Sequence, residues 1–138
     1  MVQGEHLDEV WRAALAASGD QDVAEAVTTA VLCAAPPQAA AADLVRQAVL
    51  AAVRRTPAPA FAAIEGAERD AVALARIAGC PVGEVAAALG VGDGTARRLL
   101  TAGLRSMLRR PPASGRRTPR SALGCGSAAS CGHCARWS

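Results

Sequence analysis

Apolar residues recur along the first third of the chain at intervals of three and four, the spacing that gathers side chains on one face of an α-helix. Leu7, Val10, Trp11, Ala14 and Leu15 form one such series. After the break at Ser18-Gly19-Asp20, Val23, Ala26, Val27, Ala30 and Val31 form a second, with Asp20 or Asp22 placed to cap it. Pro36 and Pro37 end that helix, because proline lacks the amide proton and collides with the preceding turn. Asp43 opens a third series, Leu44, Val45, Ala48, Val49, Ala52 and Val53, which stops before Thr56-Pro57-Ala58-Pro59. The pattern predicts a helical hairpin or three-helix unit over residues 1–58. No run of β-branched and aromatic residues in this block reads as a strand.

Residues 60–110 repeat the theme with sharper punctuation. Phe61 and Ile64 precede Glu65-Gly66, and Val72, Leu74, Ala75 and Ile77 mark a helix that ends at Gly79, with Pro81 beyond it. A short helix from about Val82 to Leu89 follows, with Val85, Ala86 and Leu89 facing inward. Gly90-Val91-Gly92 turns the chain, and Asp93 or Thr95 begins a longer helix that carries Leu99, Leu100, Leu104, Met107 and Leu108. This is a helix-turn-helix pattern. An alanine in the first helix lets the second cross closely, Gly90 tolerates a positive φ at the turn, and Val91 fills the angle between them.

Composition adds an asymmetry. Of 138 residues 51% are hydrophobic but only 2% aromatic, since alanine makes up about a quarter of the chain, so the apolar surfaces are shallow. All 15 basic residues are arginine. Residues 1–58 hold seven acids and four arginines, whereas residues 93–120 hold eight arginines and one acid, Asp93. Such a basic half suits a polyanionic partner. The apolar run around Val27 to Ala42 is interrupted by Pro36, Pro37 and Gln38, short of the roughly 20 apolar residues that span a bilayer, so no membrane association is expected. Met1 to Glu5 lack the basic start and apolar core of a signal peptide, and a reducing cytoplasm is the expected compartment.

Residues 111–138, rich in Pro, Gly, Ser, Ala and Arg with one isolated Leu123, read as a disordered tail. Cys125, Cys131, His133 and Cys134 supply soft ligands there, and the Cys131 to Cys134 spacing lets two thiolates share one zinc. The five-residue gap after Cys125 and the very small loops weigh against a metal. An inert tail is the favoured reading, beside a redox-responsive thiol group. Cys33 and Cys80 lie in apolar surroundings and read as small core residues. The two histidines, His6 and His133, sit near the ends, and Gly90-Val91-Gly92-Asp93-Gly94 follows a helix rather than a strand and lacks the lysine of a phosphate loop. No catalytic constellation emerges, so neither enzymatic activity nor a cofactor is expected.

The stretch Glu68 to Leu74, then Gly79, then Val82 to Leu100, continuing through Gly103-Leu104-Arg105 and Met107-Leu108-Arg109, resembles region 4 of sigma-70 family factors, closest to the extracytoplasmic-function group. Glu84-Val85-Ala86 before Leu89-Gly90-Val91, with Gly94-Thr95 after it, carries the likeness, which covers about 50 residues. The resemblance implies a compact helical domain whose last helix enters the major groove of the upstream promoter element while another face docks on the flap of RNA polymerase. By position, Thr95, Arg97 and Arg98 match the start of the recognition helix, and Thr101 and Arg105 extend the same DNA-binding set. Arginine suits both phosphate and guanine, because its planar fork grips O6 and N7 together. Leu99 stands where the family usually has another basic residue, which predicts a lower groove-facing charge.

Residues Leu15 to Ala35, with Gly19-Asp20 before the acidic segment Asp22 to Val27, resemble loosely the end of sigma region 2. In that family region 2 grips the polymerase clamp and captures flipped promoter bases, which calls for aromatic platforms and a basic strand channel. This block is acidic and carries one aromatic residue, Trp11, so unaided promoter melting is not expected. The reading is therefore all-α: a helical segment over 1–58 akin to a degenerate region 2, a region-4-like helix-turn-helix over 60–110, and the tail. Its expected partners are promoter DNA, core RNA polymerase and an anti-sigma or activator protein. The alternative is a protein-interaction module that binds polymerase, an activator or an anti-sigma partner without strong DNA contact, using the shallow apolar surfaces of residues 23–55.

Overall fold

A computed structural model describes residue 4 and residues 6–109. Among the described residues the chain is all-helical: α1 (Leu7–Ser18), α2 (Gln21–Ala34), α3 (Ala41–Arg55), a 3-10 turn (Pro59–Phe61), α4 (Gly66–Arg76), α5 (Val82–Leu89) and α6 (Asp93–Arg109), with no strand. No helix among them is long and apolar enough to cross a membrane. The expected tail, with Cys125, Cys131, His133 and Cys134, lies outside the described residues.

Local chemistry accounts for the breaks. Gly19 takes a φ of 68° at the end of α1, and Asp20 caps α2 by accepting the Val23 amide proton at 3.1 Å. Helix α2 stops at Ala35, which is extended before Pro36, and Pro37-Gln38 then turn the chain. Helix α3 starts at Ala41, two residues before the expected Asp43, which instead sits in its first turn where a carboxylate favours the positive end of the helix dipole.

The six residues of the α3 series, Leu44, Val45, Ala48, Val49, Ala52 and Val53, are all buried. They pack against α1, which offers Val10, Ala13, Ala14 and Ala17, and α2 covers the same core with Ala24, Val27, Val31 and Leu32. The small side chains bring the three helices close together and satisfy the shallow surfaces of residues 23–55 within the chain. Helix α2 is rotated relative to its expected face: Ala26 and Ala30 are exposed, while Ala24, Thr28 and Leu32 turn inward. Cys33 follows that rotation and is exposed, so it is not a core residue, whereas Cys80 is buried as expected.

The helix-turn-helix does not stand apart from this unit. Val72 and Ala73 of α4, together with Phe61 and Ile64 of the connector, belong to the same core as α1 to α3, and Leu100 and Met107 of α6 pack against it. A second, smaller cluster joins Ala71, Leu74, Cys80, Val85, Ala86 and Ala96, and Leu50 of α3 packs onto it in turn. Two ion pairs cross the junction. Arg54 grips Asp70 Oδ2 through Nε and Nη2, both at 2.9 Å, and Arg46 donates to Glu84 at 2.8 Å while also pairing with Asp43. Asp70 is buried and Arg54 half-exposed, so one end of the first pair is held in the interior. The connector is tied back as well, the Ala58 amide donating to the Ala17 carbonyl at 2.9 Å.

Candidate nucleic-acid interface

Helix α5 ends where the sequence places its turn. Gly90 adopts a φ of 68°, and its amide and that of Val91 donate to the carbonyls of Ala87 and Ala86 at 3.3 and 3.0 Å, which closes a Schellman cap. Val91 packs into the small cluster beneath the turn, and Ala86 and Ala96 meet there, the close crossing that an alanine permits. Helix α6 leaves this corner and runs for 17 residues.

What α6 presents follows from which of its sides is already taken. Ala96 and Gly103 are buried, and Leu99, Leu100 and Met107 are half-buried against the two clusters. The opposite side carries Arg97, Arg98, Thr101, Arg105 and Arg109, all exposed. Four of the five expected residues, Arg97, Arg98, Thr101 and Arg105, line one shallow groove together with Ala102. Thr95, the fifth, is half-buried and serves as a prop: its hydroxyl accepts from the Arg98 guanidinium at 3.3 Å. The Thr101 hydroxyl donates back to the Arg97 carbonyl at 2.9 Å.

Leu99 differs from its expected role. It packs inward on the small cluster, so the absence of a basic residue there subtracts nothing from the outward face. Leu104 and Leu108, among the apolar residues that mark α6 in the sequence, are 39% and 85% exposed respectively. With Gly103 in the inner position, a period of 3.6 puts Leu104 on the flank of α6 and Leu108 on its outer side. Ala102 in the groove is not singled out by sequence, since an alanine among so many carries no distinguishing signal.

The charge of this face is uncompensated. Among the described residues, carboxylates lie within 4.0 Å of Arg46, Arg54 and Arg69, and of none of Arg97, Arg98, Arg105 or Arg109. Asp93 is the single acid of α6. Asp8, Glu9, Asp22 and Glu25 are exposed on α1 and α2, so those helices carry the acids of the sequence asymmetry and α6 carries the arginines. Trp11, the aromatic residue of the N-terminal block, is half-buried against the core and offers no free stacking platform. Cys80, beneath α5, has its thiol pushed up by burial, with the Arg46 guanidinium opposing and the Glu84 carboxylate adding to the shift.

Comparison with known proteins returns no match: no family model, no curated protein and no solved structure corresponds to this chain.

Proposed function

We propose that this chain is a DNA-binding transcription-control protein of sigma-factor type. In this reading α6 is the recognition helix, and Arg97, Arg98, Thr101 and Arg105 contact promoter DNA while Thr95 steadies Arg98. Another face of the helix-turn-helix touches core RNA polymerase in the cytoplasm. The observation that carries the reading is the exposed arginine face of α6, which has no carboxylate partner among the described residues and follows a capped two-helix corner. Arginines held this way supply phosphate attraction at every sequence and bidentate contacts to guanine at the right one. A helix of this diameter fits the major groove, and the small Thr101 and Ala102 side chains between the arginines leave room for base edges.

The test is co-purification with core RNA polymerase, followed by promoter binding and run-off transcription at moderate salt. Transcripts from a defined promoter identify a working sigma factor. Binding without transcripts identifies a regulator built on a region-4-like module, and binding to neither polymerase nor DNA removes the proposal. A second reading, a protein-interaction module without strong DNA contact, draws on Leu104 and Leu108, whose exposed side chains lie on the flank and outer side of α6.

A further inference from the structure

Helix α6 contains two glycines in a molecule whose helices are otherwise packed with alanine, and the fold accounts for only one of them. A Cβ at Gly103 would stand 2.5 Å from Val72 Cγ2 and 3.1 Å from the Glu68 carbonyl oxygen, so the crossing of α6 over α4 requires glycine there. Gly94 is nine residues earlier, which at about 100° per residue places it about 180° around the helix, on the outer side. A Cβ at Gly94 would meet nothing within 4 Å, and its φ is not positive. Neither packing nor backbone conformation asks for glycine at this position. Glycine lowers helix stability relative to alanine, by less in the first turn, where Gly94 stands, than the roughly 0.5–1 kcal/mol of a helix interior.

The position is three and four residues before Arg97 and Arg98, and seven and eleven before Thr101 and Arg105. It therefore stands at the N-terminal end of the outward face, in line with the arginine groove. Gly92, in the turn just before α6, is equally unencumbered and also lacks a positive φ. The remaining described glycines divide differently: Gly19, Gly66, Gly79 and Gly90 take left-handed backbone, Gly4 stands at the start of the chain, and Gly83 is open but lies on α5.

We infer that Gly94 is a positioning residue of the DNA interface, kept without a side chain so that the sugar-phosphate backbone can approach the start of α6 closely enough for Arg97 and Arg98 to reach the groove. The inference rests on the DNA-binding reading above and adds to it the feature that sets how deeply the helix sits. A methyl group at Gly94 holds the duplex away from the helix and lengthens the arginine hydrogen bonds to DNA all at once, whereas the same methyl at Gly83 improves a helix without touching that face.

The test uses the full chain with Gly94→Ala, Gly94→Leu, Gly83→Ala and the Arg97→Glu/Arg98→Glu pair, and a labelled mixed-sequence duplex of about three helical turns at low salt. Gly94→Ala and Gly83→Ala are expected to raise the melting temperature by a similar few degrees. Gly94→Ala is expected to weaken DNA binding by about tenfold as the phosphate contacts at the start of α6 lengthen, and Gly94→Leu to weaken it further. Gly83→Ala is expected to retain more affinity than Gly94→Ala. If the parent chain binds, charge reversal at Arg97 and Arg98 removes binding and Gly94→Ala binds like the parent, the Gly94 inference is overturned and the DNA reading stands. If the parent chain itself does not bind, both fall. The melting curves show whether Gly94→Leu has lost its fold, and in that case the alanine variant alone decides.

Discussion

Gly103 on α6 and Val72 on α4 meet so closely that no side chain fits between them, a Cβ at Gly103 falling 2.5 Å from Val72 Cγ2. Val72 is fully buried and, as a β-branched residue, has little freedom to swing aside. This crossing sets the height at which α6 rides on the rest of the molecule, and so the exposure of its arginine face. Gly103→Ala is expected to destabilise the fold by about 1–3 kcal/mol despite alanine's better helix propensity, because overpacking outweighs it. A Val72→Ala change in the same chain restores part of the loss, and thermal unfolding of the two single variants and the double variant measures that coupling. Additive losses would show that the two residues do not share the strain.

The Arg54–Asp70 pair leads to a second expectation. Asp70 is 6% exposed, and its Oδ1 has no hydrogen-bond partner, so the carboxylate depends on Arg54 for its only strong bonds. Arg54→Ala is expected to cost about 1–3 kcal/mol, since it leaves a buried charge behind, with solvent around the half-exposed Arg54 moderating the loss. Glu84→Ala removes an exposed carboxylate from the half-buried Arg46, which keeps Asp43 as a partner, and costs less than about 1 kcal/mol, a difference that shrinks as salt is added. Denaturant titrations of the two variants at low and high salt distinguish these responses. Equal losses, equally sensitive to salt, would contradict the assignment of the Arg54–Asp70 pair to the interior.

Because the core runs through the junction, residues 60–110 expressed alone are expected to lack a stable fold. Their own cluster holds Leu74 and Val85 as its only large fully buried side chains, with Ala71, Ala86, Ala96 and Cys80 around them, too little apolar area for an independent domain. The intact chain is expected to unfold in one cooperative transition by circular dichroism. Two separated transitions, or a well-folded 60–110 piece, would show that the blocks are independent.

Thiol chemistry separates the two described cysteines. Cys33 is exposed and Cys80 is buried with its thiol raised above the ordinary value of 9.0, so alkylation under native conditions is expected at Cys33 and, at Cys80, only with denaturant. Peptide mass spectrometry reads both sites. The raised value also has a sign: in alkali the unfolded chain loses the Cys80 proton before the folded chain does, so this group's contribution to stability falls as pH rises above about 9. A Cys80→Ala chain should lack that part of the alkaline loss.

Much of this architecture is legible in the residues themselves, for identifiable reasons. The α3 series mixes Leu and Val with Ala, so its inward face is unambiguous, and all six positions are buried. Asp20 and Gly90 act through local backbone chemistry that neighbours in sequence suffice to reveal. Helix α2 is harder to orient because alanines occupy several of its faces, and a rotation of one position exchanges Ala26 and Cys33 for Thr28 and Leu32 at little cost in apolar area. Leu104 and Leu108 mark α6 as apolar in the sequence without showing their side: Gly103 takes the tight approach to Val72, Met107 packs against the core, and the leucines stay exposed. The Arg54–Asp70 link and the sharing of one core between the two blocks join residues distant in sequence, which periodicity does not register. Of the candidate site, the arginines and threonines of α6 are singled out by the resemblance to sigma region 4, whereas the inward turn of Leu99 and the groove-lining Ala102 emerge only from packing.

The salt dependence of DNA binding tests the central claim most directly. If α6 presents its arginines to phosphate and base edges, the parent chain binds a duplex at low salt, and the logarithm of affinity falls against the logarithm of salt concentration with a slope of about −3 to −4, from roughly one counterion released per arginine–phosphate pair. Arg97→Glu with Arg98→Glu then removes most of the binding and flattens that slope, while the melting temperature stays near that of the parent because both side chains are exposed. An unchanged affinity in the charge-reversed chain, or no binding by the parent at low salt, would contradict the assignment of α6 as a DNA-binding helix.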